Sequence, residues 1–337
     1  MKLAVQNPAK ILVKLPVKMG DTVMAAYFLR AVKALYPNCQ LDAIVAKGLE
    51  ELMDFMPYVD NMHAFSKKEY PGPKGNYRYG KLIRKREKYD VFFCLPFSFS
   101  SALMGYFTGA KVRIGYKTEF RGIFLSNAIK RPKGLHIVEE FNYLLERYSG
   151  KKEGFKPLSF KPRKWHNFQL THLSKLILNV KSGPPSRSIP VEKGVSLVKL
   201  LLSLFPHEVL LTGAPNESVY ISEIKKEFRN EPRVIDLSGK TTLSQLAYVI
   251  SKADCMVTAD SGNAHLANAV GTPTVVLFGA AYTHRAKPYN DSISRILQRS
   301  DMDCVPCESE HCKYGDNRCL TNINNVEIVS SIKALVN

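Results

Sequence analysis

Short apolar runs alternate along the chain with longer amphipathic stretches, the pattern of repeated strand and helix units. Lys10–Leu15 reads as a buried strand, and Gly20–Leu35 follows with Val23, Ala26, Tyr27 and Ala34 at helical spacing. Leu41–Ala46 reads as a second strand and Gly48–Met56 as a helix. Ser66–Arg86, rich in Lys, Arg, Gly, Pro and Tyr, predicts a long loop entering a basic helix. Val91–Ala110 carries no charge and is about long enough to cross a bilayer. Pro96, Gly105 and several serines interrupt it, so it reads instead as a buried strand, a turn and a helix. Lys111–Tyr116 predicts another strand, and His136–Tyr148 a helix with Val138, Phe141, Leu144 and Leu145 on one face.

The polar stretch Ser149–Trp165 marks a boundary between domains 1–165 and 166–337, with a C-terminal helix free to pack back on the first. The second half restarts the pattern. Leu176–Val180, Glu208–Leu211, Arg233–Leu237, Cys255–Thr258 and Thr274–Phe278 read as strands. Gly194–Phe205, Ser218–Phe228, Leu243–Lys252 and Asn263–Val270 read as the helices between them. The expected fold is α/β: two Rossmann-like doubly wound domains facing across a cleft, with ligands at the carboxyl ends of the strands.

The segment Ala259-Asp260-Ser261-Gly262-Asn263-Ala264-His265 carries the clearest chemistry. A buried strand ends there and a helix begins within two or three residues. The first turn of a helix leaves amide N–H groups unpaired and partly positive, which favours a phosphate. Ser261 adds a hydroxyl, Gly262 lets the backbone approach closely, and His265 lies one turn further on. Asp260 can cap the helix or accept hydrogen bonds from sugar hydroxyls. The same residues also fit an ordinary helix cap. Asp21, after Met19-Gly20, likewise fits a helix cap.

Charge sharpens the division into halves. The chain carries a net +18, and residues 1–165 hold 30 Lys and Arg against 14 Asp and Glu. Such a field attracts nucleic acid, an anionic membrane surface or a phosphorylated substrate. No nucleic-acid recognition module accompanies it. A dinucleotide-dependent oxidoreductase would need Gly-x-Gly-x-x-Gly after the first strand, where the chain reads Leu15-Pro16-Val17-Lys18-Met19-Gly20. Met1–Leu15 shows no apolar segment ending in a small-residue cleavage site, which predicts a cytoplasmic protein able to visit a membrane through its charge.

Several motifs, in order and spacing, resemble glycosyltransferase family nine, the ADP-heptose:lipopolysaccharide heptosyltransferases. They are Lys14 with Met19-Gly20-Asp21, Arg113-Ile114-Gly115-Tyr116, Leu210–Pro215, Leu237–Leu243 and Thr258–His265. The resemblance covers most of the chain. It implies a GT-B fold with the acceptor in the first domain and the donor, ADP-heptose, in the second. It implies an inverting transfer to the inner core of lipopolysaccharide (Kdo-lipid A or a heptosyl acceptor) that needs no metal or other cofactor. Asp21 would be the general base. Ser261, Gly262, His265 and Asp260 would hold the donor, with Gly213 and with Thr241 beside the adenine. The family's Lys before Trp-Pro is matched here by Arg187-Ser188-Ile189-Pro190, so Arg187 would supply the cation. Lys14, Lys18, Gly20, Arg113 and Arg121 would contact an anionic, lipid-linked sugar at the inner membrane, and no nucleic acid partner is implied. His136 and Glu139 form a helical pair that lines the cleft or is satisfied at the surface. Relatives using another nucleotide sugar, or binding one without catalysis, remain alternatives.

Cys304, Cys307, Cys312 and Cys319 form C-x2-C-x4-C-x6-C, beside His311. The spacing allows a structural zinc or iron–sulfur site, or thiols packed in a loop. Cys39, Cys94 and Cys255 lie in or beside apolar runs and read as core.

Overall fold

The computed structural model describes residues 5–165 and 174–336. The chain divides into two compact units, Met1–Lys156 and Pro157–Asn337. The division falls before the residue 165 expected from composition. Leu158 and Phe160 are buried, and Phe160 N donates to Ala269 O, which ties them to the second unit.

The first unit runs β1 (Lys10–Lys14), α1 (Met19–Leu35), β2 (Gln40–Ala46), β3 (Asn61–Phe65), α2 (Gly72–Arg86), β4 (Val91–Cys94), α3 (Phe99–Phe107), β5 (Val112–Tyr116), β6 (Asn127–Ile129) and α4 (Ile137–Ser149). Its strands form one parallel six-stranded sheet in the order β3-β2-β1-β4-β5-β6. The second unit runs β7 (Lys175–Asn179), α5 (Val191–Leu204), β8 (Glu208–Leu211), α6 (Ser218–Lys226), β9 (Val234–Asp236), α7 (Leu243–Ser251), β10 (Cys255–Ala259), α8 (Gly262–Val270), β11 (Thr274–Phe278), α9 (Thr283–Ala286), β12 (Ser294–Gln298), α10 (Arg318–Thr321) and α11 (Asn325–Val336). Its sheet is also parallel and six-stranded, in the order β12-β11-β10-β7-β8-β9.

The central strands are covered by helices on both faces, which explains their unbroken apolar runs. Ile11, Leu12 and Val13 are fully buried, as are Val257 and Ala259. Three strands escaped the sequence pattern: β3, β6 and β12. Each lies at a sheet edge and keeps partly exposed residues. The helix expected over Gly48–Met56 is a short 3-10 turn over Glu50–Phe55. The helix α11 packs on β10, β11, β12 and α5 of the second unit. No helix among the described residues is long and apolar enough to cross a membrane.

Candidate functional site

In a doubly wound sheet the connections leaving two adjacent strands part to opposite faces at one place, and a crevice opens at the strands' carboxyl ends. In the second unit that place lies between β7 and β10. The chain leaving β7 carries Arg187, and the chain leaving β10 carries Asp260 and Ser261. Topology alone therefore brings together residues 73 apart in sequence.

Arg187 Nη1 lies 3.1 Å from Asp260 Oδ2, and the pair is largely buried. The Arg187 Nε is buried without a hydrogen-bond partner. Ser182 Oγ donates to Asp260 O at 2.5 Å and fixes the turn from the other side. Ser261 is the N-cap of α8, yet its hydroxyl caps no amide. It lies 3.1 Å from Asn179 Oδ1 and 3.3 Å from Thr258 Oγ1 instead. Asn179 is fully buried at the end of β7; it also accepts from Thr258 Oγ1 and donates through Nδ2 to Thr212 O. The side chain that would normally satisfy the first turn of α8 is thus drawn toward the sheet. Asp260, which the sequence offered as a cap, faces Arg187. Gly262 opens α8 and His265 sits buried one turn in.

Two further donor candidates lie on neighbouring turns. A Cβ on Gly213 would stand 2.3 Å from Ile221 Cδ1, so this glycine permits close packing against α6. Thr241 precedes the cap of α7, where Thr242 and Gln245 form the capping box. The stretch 184–188 bearing Arg187 is held by a distant loop: Asn317 Nδ2 donates to Pro185 O at 2.8 Å and Ser188 O at 2.9 Å. Asn179, Ser182 and Asn317 were not singled out from sequence. The available signal for Asn179 was an amide ending an otherwise apolar strand.

In the first unit the corresponding place lies between β1 and β4. Asp21 is the third residue of α1, inside its first turn, so it is not the N-cap. That position belongs to Lys18, which is exposed and makes no side-chain cap; Gly20 is half-buried. Lys14 is 1% exposed, donates to Leu15 O at 3.1 Å and lies over the Phe65 ring. Burial lowers its pKa to about 8.

Arg113 and Arg121 depart from the expected surface contacts. Arg113 donates to Phe124 O and Ala110 O. Arg121 is fully buried and donates to Tyr116 O, Pro96 O and Ser98 O. Both guanidiniums hold loop carbonyls. His136 and Glu139 form the capping box of α4, the satisfied arrangement rather than a cleft lining.

The model of glycosyltransferase family 9 (heptosyltransferase) matches residues 77–317. The chain belongs to that family. Among similar proteins, lipooligosaccharide heptosyltransferase 2 of Campylobacter jejuni is 26% identical, over 97% of this chain and 99% of its own. The structure of the E. coli ADP-heptose LPS heptosyltransferase II superimposes with a TM-score of 0.78 at 23% identity, covering 97% and 98% of the two chains. That of the E. coli heptosyltransferase WaaC with ADP gives 0.75 at 15% identity, covering 97% and 100%. This family 9 transferase accordingly has the GT-B fold, built from two Rossmann-like units.

In the family 9 chain the cysteine motif lies beside the Arg187 segment. Cys304, Cys307, Cys312 and Cys319 line one cavity of about 240 Å³ together with Ser186. All four are free thiols, and burial pushes Cys319 up to about 11. Among the described residues, no group of three or more His, Cys, Asp or Glu side chains is arranged to hold a metal ion. Cys39, Cys94 and Cys255 are buried core residues, as expected.

Proposed function

We propose that this transferase moves a heptose from ADP-heptose to the inner core of lipopolysaccharide, with inversion at the anomeric carbon. The observation that carries the reading is the meeting of Arg187, Asp260 and Ser261 at the switch point of the second sheet. A diphosphate at the start of α8 would receive backbone N–H groups and the helix field. Arg187 would turn from Asp260 to the phosphates and give two parallel hydrogen bonds. Asp260 would then be released toward the sugar hydroxyls, while Gly213 and Thr241 flank the nucleotide. The E. coli relative solved with ADP supports this choice of nucleotide.

Asp21 is the general base of the proposal. It takes the proton of the acceptor hydroxyl as that oxygen attacks the anomeric carbon, and the diphosphate leaves. The chemistry needs no metal ion. Lys18 and Gly20, in the same turn, contact the acceptor, a Kdo-lipid A or heptosyl sugar. Lys14 lies beneath them as a buried charge. Arg113 and Arg121 act through the loops they hold. The first unit would take the acceptor and the second the donor, with the enzyme cytoplasmic and peripheral at the inner membrane.

Calorimetric titration with ADP, UDP, GDP and ADP-heptose tests the donor. Binding of ADP and ADP-heptose is expected. Binding of another nucleotide with neither of these at millimolar concentration would overturn it.

A further inference from the structure

The segment following β5 presents apolar side chains to water on a rigid base. Phe120 is 95% exposed and Ile123 is 77% exposed. Arg121, between them, is fully buried, and its three carbonyl partners come from β5 and from the loop after β4. Thr118 Oγ1 donates to Phe97 O at 2.9 Å, and Phe99 N donates to Glu119 Oε2 at 3.1 Å. Glu119 and Phe120 stand at φ 46° and 57°, in the left-handed region that bulky side chains seldom adopt. A loop with no constraint would relax and turn its phenylalanine inward. This one is stapled from below and holds Phe120 out.

The tip continues into an aromatic and basic surface. The turn Arg121–Phe124 packs on α3, where the Phe124 ring lies 5.2 Å from Phe99 and 5.8 Å from Tyr106. Phe107 of α3 meets Tyr77 of α2 at 4.4 Å. Arg113 lies over Tyr106 at 5.3 Å, and Lys81 over Tyr77 at 4.6 Å. The helix α2 carries six basic residues, Lys74, Arg78, Lys81, Arg84, Lys85 and Arg86, and no acidic one. Projecting apolar tips, amphipathic tyrosines and a basic helix match the layers of an anionic bilayer surface. The tips enter the acyl boundary, tyrosines sit among headgroups, and cations meet the phosphates.

We propose that Phe120 and Ile123 anchor the first unit in the surface of an anionic phospholipid bilayer, with α2 supplying the attractive charge. This surface deepens the reading of a lipid-linked acceptor and rests on it only for the choice of a membrane as partner.

The test is co-sedimentation of the full chain with vesicles of phosphatidylethanolamine and phosphatidylglycerol, beside neutral phosphatidylcholine vesicles. The native chain should bind the anionic vesicles, weakly in high salt. Phe120→Ser/Ile123→Ser should lose at least about tenfold in partitioning, the scale of two apolar side chains left in water. Lys81→Glu/Lys85→Glu should weaken binding to anionic vesicles alone. Circular dichroism checks that each variant folds, and the affinity of each for ADP is measured alongside. Unchanged ADP binding with lost vesicle binding supports the anchor. Absence of native vesicle binding would overturn it, as would equal binding by the serine variant. A serine variant that loses only self-association, read by sedimentation velocity, would overturn it in favour of a second copy of the chain. Failure of ADP binding by the native chain would strike the donor assignment and leave the anchor standing.

Discussion

The Ser261 hydroxyl lies 3.1 Å from the Oδ1 of Asn179, an amide eighty-two residues away in sequence and fully buried. Asn179 is the hub of the proposed donor site: it draws Ser261 off the helix cap, accepts from Thr258 and donates to Thr212 O. Asn179→Ala should therefore weaken ADP binding by about tenfold, besides lowering stability by about 1–3 kcal/mol for unpaired buried groups. Ser261→Ala should weaken ADP binding as well. A double-mutant cycle read by calorimetry should show the two effects to be strongly non-additive. Additive effects would separate Asn179 from the phosphate site.

Arg187 faces Asp260 at 3.1 Å in the structure and is the cation proposed for the diphosphate. Arg187→Ala should lower affinity for ADP by about tenfold or more, since a charge-assisted pair to phosphate is lost. Arg187→Lys should recover part of that loss through charge but not through paired hydrogen bonds. Equal affinity in all three proteins would remove Arg187 from the site.

Asp21, the base of the proposal, lies inside the first turn of α1, in the first unit. Asp21→Asn should leave ADP binding unchanged and lower turnover by a factor of ~10² or more, the scale of general-base loss. Near-native turnover would exclude it as the base.

Lys14 is almost completely enclosed, with a pKa lowered to about 8. Its unfolded form titrates near 10.5, so between these values the unfolded chain binds more protons than the folded one. The local contribution of Lys14 to stability must rise with pH across about 8 to 10.5, and the cost of its buried charge is fully present below about 8. Urea midpoints of the native chain and Lys14→Met, compared at pH 7, 8.5 and 10, measure this. The methionine variant should gain most relative to the native chain at pH 7, by up to about 3 kcal/mol, and the gain should shrink toward pH 10. A difference independent of pH would show that Lys14 keeps its ordinary titration.

The central strands of both sheets were legible because burial on two faces leaves an unbroken apolar run, as in Ile11–Val13 and Cys255–Val257. Edge strands carry no such signature: β12 reads Ser-Arg-Ile-Leu-Gln, and only its first residue is buried. The stretch from Asp260 to His265 was legible because a strand end, a small turn and a helix start are local events. Asn179 and Asn317 were not, since their partners lie far along the chain. Arg121 shows the opposite failure. Its place in a basic half suggested a surface contact, whereas its partners are carbonyls that no composition reveals. The sequence also could not say that the Phe beside it would face water.

The ion pair between Arg187 and Asp260 sets opposite charges against each other at the switch point of the second sheet. On the proposed reading, an arriving anion must compete with a carboxylate already in place. A diphosphate with a sugar that reclaims Asp260 compensates both partners, whereas inorganic phosphate satisfies only one. On that reading the pair would act as a filter, setting aside small inorganic anions in favour of the ligand that completes the exchange.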